Sequence, residues 1–154
     1  MTINYSSDND IIIPTQHNTT YRGLGGDDIY IITQAVSDGA KVNIVDTQGT
    51  NIIQLTEGLS ISSSKFASTA FQITLSNNAE ITISSSHRNL YEIGGNATTG
   101  LIVDQNSYED FISFFGINSL PSVKSIKGLT NLIIEGEKLV TNNKIFSWEI
   151  KKPE

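Results

Sequence analysis

Apolar and polar positions in the first 33 residues recur at a period of nine. Asn9-Asp10-Ile11-Ile12 is followed nine residues on by Asn18-Thr19-Thr20-Tyr21, and nine further by Asp27-Asp28-Ile29-Tyr30. Polar pairs fall at 9/10, 18/19 and 27/28, and large side chains at Ile12, Tyr21 and Tyr30. A polar turn leading into a short strand, repeated at this spacing, predicts a parallel β-roll or β-helix. Every second unit of a roll lies on the same side. The first unit therefore sits over the third, with Asp10 and Asp28 eighteen residues apart.

Beyond Gly39 the pattern reads as ordinary β-structure. Lys41-Val42-Asn43-Ile44-Val45 alternates, and the turn Thr47-Gln48-Gly49-Thr50 separates it from Asn51-Ile52-Ile53-Gln54-Leu55. Leu59-Ser60-Ile61 predicts a short strand. Phe71–Leu75 and Ala79–Ile83 alternate cleanly around Ser76-Asn77-Asn78, whose asparagines tolerate positive φ, so a hairpin is expected there. Tyr108, Phe111, Ile112 and Phe115 fall at i, i+3, i+4 and i+7. They predict one helix over 107–115, with Ser107 or Asn106 as N-cap, Glu109 and Asp110 in the first turn and Gly116 as the stop. Apolar clusters follow at Val123–Ile126, Leu132–Ile134 and Lys138–Val140. Residues 144–150 alternate as a half-buried strand with Phe146 and Trp148 inward.

Composition narrows this picture. Of 154 residues, 38% are hydrophobic and only 17% charged, below the usual quarter or so. Isoleucine and threonine favour strands, and asparagine, glycine and serine favour the turns between them. Sixteen acids against ten bases give a net charge of −6, which disfavours binding to a phosphate backbone and suits cations. No apolar run reaches the ~20 residues of a membrane helix, and the N-terminus shows no basic, apolar leader. Without cysteine, neither a disulfide nor a thiolate site is possible.

The acidic turns carry the candidate chemistry. Carboxylates of Asp10 and Asp28 from stacked units, with carbonyls from the turn containing Gly23 and Gly25, could converge between two rungs. Ca²⁺ takes six to eight oxygen ligands in a tolerant geometry, and glycine lets a loop turn its carbonyls inward. Asp8 or Asp27 is expected to assist, and Asp27, Asp46 and Asn51 are expected as secondary ligands. The second unit has Thr19 where an aspartate would stand, so one good site is expected. The competing reading is turn chemistry alone, in which Asp and Asn beside Gly simply cap turns.

Gly23-Leu24-Gly25-Gly26-Asp27-Asp28-Ile29-Tyr30 resembles the nonapeptide of the repeats-in-toxin family, the haemolysin-type calcium-binding repeats with consensus G-G-x-G-x-D-x-U-x. By that resemblance Asp28 is the ligand aspartate, Tyr30 the inward residue, and Leu24 replaces the second glycine. Ser7-Asp8-Asn9-Asp10-Ile11-Ile12 resembles a degenerate first repeat. Residues 45–53 resemble a closing unit, with Asn51 in place of the aspartate. The match covers about 45 residues of the N-terminal half. The segment from Asp46 to Thr99 also looks like a β-module found beside such repeats in large secreted bacterial proteins. The resemblance implies an extracellular destination and calcium-dependent folding; the family's C-terminal export signal is not recognisable in 144–154.

Other chemistries find less support. Gly23–Gly26 lacks the Lys-Ser or Lys-Thr of a phosphate loop. His17 and His87 are isolated, which disfavours zinc. No G-x-S-x-G elbow occurs. Glu92, Asp104, Glu109 and Asp110 could supply a carboxylate pair for glycoside cleavage, although a helix N-terminus explains the last two better. Trp148, Phe146 and Tyr91 could stack on sugar, against the plainer reading that they are core.

The expected fold is therefore predominantly all-β. Short N-terminal β-roll turns over 1–56 form a nonapeptide-repeat calcium-binding region and lead into an antiparallel β-sandwich-like region over 57–154, read as one continuous domain with one short helix near 107–115. The expected function is non-catalytic: a calcium-dependent structural or adhesive module of a bacterial secreted or cell-surface protein, able to self-assemble by edge-strand pairing into a surface layer or fibre. A calcium-dependent carbohydrate-binding module with a cell-surface glycan partner is the alternative, and a secreted hydrolase or lyase the third reading. No nucleic acid partner and no membrane insertion are expected.

Overall fold

A computed structural model describes residues 1–95, 105–127 and 130–141. β1 (Thr2–Asn4), β3 (Thr19–Arg22), β5 (Lys41–Val45) and β9 (Glu80–Ser84) are parallel neighbours in one sheet. β2 (Ile11–Ile12), β4 (Ile29–Ile32), β6 (Ile52–Thr56) and β10 (Leu90–Gly95) are parallel neighbours in the other. The chain thus alternates between two sheets and builds four rungs of a roll.

Side-chain alternation fixes what lies between the sheets. Because successive residues of a strand point to opposite faces, one residue per strand lines up across each sheet. In the second sheet the inward column is Ile12, Tyr30, Ile53 and Tyr91. In the first it begins Ile3, Tyr21, Ile44 and Ile83. All but Ile3 are buried. Tyrosine and isoleucine at the period-nine positions are thus the core of the roll, as the pattern predicts.

Between the third and fourth rungs the chain inserts β7 (Ser60–Phe66) and β8 (Ala70–Leu75), antiparallel to one another, with β8 antiparallel to β9. The hairpin expected at Ser76-Asn77-Asn78 joins β8 to β9, with Asn78 at φ +69°. β11 (Ile134–Gly136) and β12 (Leu139–Val140) pair antiparallel with β7, which brings the first sheet to eight strands among the described residues.

The second sheet stops at β10, while the first continues through β8 and β7. Their inward Phe71 and Phe66 therefore face no strand. Helix α1 (Tyr108–Ser113) fills that space. The Ser107 hydroxyl accepts the Asp110 N–H at 3.1 Å as N-cap, and Gly116 turns the chain away at φ +84°. Its apolar face, Tyr108, Phe111, Ile112 and then Phe115, is buried. Phe111 stacks on Tyr91 with ring centroids 4.2 Å apart and meets Phe71 at 5.1 Å.

The antiparallel sandwich expected after residue 57 is only partly what forms. β7, β8 and β9 are antiparallel, but β9 returns to parallel pairing with β5, and β10 pairs parallel with β6. The reason lies in residues 84–92, which form another roll turn. Ser85 adopts φ +55°, a 3-10 turn spans Ser86–Arg88, and Asn89-Leu90-Tyr91 takes the place that Asp28-Ile29-Tyr30 holds two rungs earlier. Val123–Ile126 is an irregular segment whose Val123 and Lys124 carbonyls accept the N–H groups of Ser68 and Thr69. The strand expected over 144–150, with Phe146 and Trp148, lies outside the described residues, as does Asp104. Gly94 and Gly95 close β10. Among the described residues no helix is long and apolar enough to cross a membrane.

Candidate functional site

The three turns 5–10, 23–28 and 46–51 stack along one edge of the roll, because each carries the chain from the first sheet to the second at the same level. Two ladders of side-chain to backbone hydrogen bonds join them. In one, the Asp10 N–H donates to Asp28 Oδ1 at 2.8 Å and the Asp28 N–H donates to Asn51 Oδ1 at 2.8 Å. In the other, which runs in the opposite sense, the Asp27 N–H donates to Asn9 Oδ1 at 2.8 Å and the Thr50 N–H to Asp27 Oδ1 at 2.8 Å. Turn backbones that a strand ladder cannot reach are satisfied in this way.

Glycine is required where the turns touch. Gly49 has φ +76°, and a Cβ there would overlap the carbonyl of Gly26 in the rung above. Leu24 stands at φ +65°, a left-handed conformation that favours glycine. That is the position where the repeat consensus has its second glycine.

The acidic residues do not all do what stacking alone suggests. Asp10 folds back on its own turn, its carboxylate accepting the Ser6 N–H at 3.1 Å and the Ser6 hydroxyl at 2.9 Å. Asp8 and Asp27 are exposed. Asn51 is buried and committed at both ends of its amide, since its Nδ2 donates to the Gln48 carbonyl at 2.8 Å. The carboxylates that converge are those of Asp28 and Asp46, both buried. The Tyr30 hydroxyl donates to Asp46 Oδ2 at 2.6 Å and accepts the Gly23 N–H at 2.7 Å. Asp46 Oδ1 accepts the Gln48 N–H at 3.2 Å. Asp28 Oδ2 is buried with no hydrogen-bond partner.

Gly23 makes the convergence possible. A Cβ on it would fall inside van der Waals contact of Asp28 Oδ2, Asp46 Oδ2 and the Tyr30 hydroxyl together. Three oxygens from two rungs thus face the space above one glycine. The electrostatic consequence is large. Burial, then the neighbouring Asp46, push the Asp28 carboxyl from 3.8 up to about 7, against the lowering effect of the Asp10 N–H. Burial and the bond to Asp46 likewise push the Tyr30 phenol well above its ordinary value.

Two buried carboxylates gathered over one glycine need a positive partner. A proton shared between them is one, and a divalent cation is the other. Asp28 and Asp46, with the Tyr30 hydroxyl beside them, are the residues that would hold a cation. Among the described residues no three His, Asp or Glu side chains gather at one point. Calcium's remaining ligands would be carbonyls of the glycine-rich turn and water. The oxygen-only donor set suits a hard cation.

Neither histidine joins this site. His17 Nδ1 accepts the Lys41 N–H at 3.1 Å, and His87 is exposed in the 3-10 turn. Glu109 and Asp110 occupy the first turn of α1. Glu92 is buried and accepts the Gln54 amide at 2.5 Å. Tyr91 is wholly buried within the aromatic cluster, so it offers no face to a sugar.

Asp46 as the partner of Asp28 was not the pairing the repeat suggests. Residues pair across the sheets at a spacing of 18 between the first and second rungs, as for Ile11 and Ile29, but of 23 between the second and third, as for Ile29 and Ile52. Asp46 therefore stacks on Gly23, since 46 − 23 = 23, and only the missing side chain of Gly23 brings it to Asp28.

No protein-family model matches the chain, and neither a curated protein nor a solved structure matches it.

Proposed function

We propose that this chain is a non-catalytic structural module of a bacterial secreted or cell-surface protein, whose roll is locked by Ca²⁺ held between Asp28 and Asp46. One observation carries the reading: Asp28 Oδ2, buried and without a hydrogen-bond donor, and the buried Asp46 Oδ2 both close on the bare Cα of Gly23, so that acidic oxygens from neighbouring rungs meet where no side chain separates them. The repeat resemblance of residues 23–30 supports calcium over other divalent ions, as does the wholly oxygen donor set. Because the two carboxylates come from different rungs, an ion between them ties the second rung to the third, and its binding free energy becomes folding free energy. Calcium is scarce in the cytosol and abundant outside, which fits a module that sets after export.

Assembly fits the same reading. β1 and β2 end both sheets at the first rung, and Met1, Ile11 and Ile13 are exposed there. A second copy could pair along that edge, as exposed strand edges do.

The test is a thermal melt at pH 8 with calcium, with magnesium and with chelator. Calcium should raise the melting temperature by many degrees, and magnesium should raise it little. Asp46→Asn should abolish the calcium shift while still folding. Identical melts in calcium and chelator would remove the cation from the account.

A further inference from the structure

A second site lies on the opposite face of the first sheet, away from the turn edge. The outward positions of β5, β9 and β8 form a polar floor. Asn43 pairs across to Thr82, and Thr82 to Gln72, whose Nε2 donates to the Thr82 hydroxyl at 2.9 Å. The irregular segment at 125–127 forms a wall, through Ile126 and Lys127. Floor and wall enclose an open groove of about 470 Å³, within the few hundred to a thousand typical of small-molecule sites.

The charge of this face runs against that of the chain. In a protein with sixteen acids and ten bases, Arg22, Lys41 and Lys65 are exposed at outward positions of its strands, and Lys127 lines the groove. The opposing carboxylates are Glu80, paired with Lys41 at 2.7 Å, and Glu135, opposite Lys65 in register. The acids Asp8, Asp10 and Asp27 lie along the turn edge instead.

We propose that this groove binds an acidic oligosaccharide. A row of side-chain amides and hydroxyls at strand spacing offers paired donors and acceptors to a chain of hydroxyl-bearing rings. Lys127 and Lys41, the latter shared with Glu80, line the groove and answer carboxylates on those rings, with Arg22 and Lys65 outside it on the same face. The floor presents no aromatic ring, so recognition is by hydrogen bonds and charge rather than by stacking. This site differs from the one held by Asp28 and Asp46 and does not rest on it.

The experiment is calorimetric titration of the full chain with trigalacturonate, with cellotriose and tetra-aspartate as comparators, at low and high salt. Trigalacturonate should bind, and binding should weaken as salt rises. The double variant Asn43→Ala, Gln72→Ala should lose about tenfold in affinity, the size expected when two hydrogen bonds are removed. Lys127→Ala should lose a few-fold and flatten the salt dependence. Each variant's melting curve confirms that it is folded. No binding of trigalacturonate would overturn the proposal. So would equal binding of cellotriose, which would remove the role of charge, or equal binding of tetra-aspartate, which would make the face a general anion patch.

Discussion

Two regions of the roll are stabilised by different physics. At the α1 end, Phe66, Phe71, Tyr91, Phe111 and Phe115 are fully buried in one aromatic cluster that holds no carboxylate. At the turn edge, the buried acids between the second and third rungs are Asp28 and Asp46, the latter bonded to the Tyr30 hydroxyl, and what they contribute depends on which positive partner is present. Apolar burial stabilises whatever the pH, whereas a buried acid pair stabilises only when it is neutralised. One fold therefore carries an unconditional anchor and a conditional clasp.

The largest effect should come from cutting the anchor. Phe111→Ala removes the ring at the centre of the aromatic cluster and should cost about 3–5 kcal/mol. The loss, measured by denaturant unfolding, should be the same with calcium or chelator and at pH 5 or pH 8. A loss that changed with calcium would mean the two regions are not separate. Next is Gly49→Ala, which forces a methyl group onto the Gly26 carbonyl at a left-handed backbone position. It should cost about 2–3 kcal/mol by straining the stacked turns. It should also weaken calcium binding, a readout that Phe111→Ala leaves alone.

The clasp has its own signature in pH. The folded-state value of Asp28, about 7, lies above its ordinary 3.8. Between those values the folded chain holds a proton that the unfolded chain has released. This group's contribution to calcium-free stability is thus fully present below about pH 4 and falls as pH climbs to about 7. Asp28→Asn isolates it. Asparagine fits the ladder, since Asn51 and Asn89 occupy the same position in the next rungs, and its amide can donate to Asp46. In chelator at pH 8 the variant should be more stable than the parent by about 1–3 kcal/mol. At pH 4 that advantage should vanish. A variant less stable than the parent at pH 8 would show that the pair is not under charge strain.

How much of this was legible in the sequence follows from where the repeat is regular. Asp10 over Asp28, Ile12 and Tyr30 pointing inward, and the Ser107 cap with its Tyr108–Phe115 face could all be read, because each depends on a fixed local spacing. The fourth rung could not, because β7 and β8 separate Asn89-Leu90-Tyr91 from its predecessors and break the period. Its signal was Asn89 before a large inward residue, matching Asn51-Ile52-Ile53. The role of Asp46 was hidden for a similar reason. The longer connection through residues 33–40 shifts the register by five between rungs (23 − 18 = 5), so Asp46 aligns with Gly23 rather than with another ligand position. Which oxygens of an acidic turn are already engaged by backbone is also beyond pattern. Asp10 and Asp28 look alike in the repeat, yet Ser6 engages both oxygens of the first, while the second has the Asp10 N–H on Oδ1 and no donor on Oδ2.

The central claim is that Asp28 and Asp46 share one positive partner, a proton or a calcium ion, but not both. Calcium titration with simultaneous measurement of proton release tests it directly. At pH 6 each calcium bound should expel about one proton, and by pH 8 to 9 release should fall toward none while affinity rises. Absence of calcium binding at millimolar concentrations, or binding whose proton release is the same at both pH values, would contradict the account.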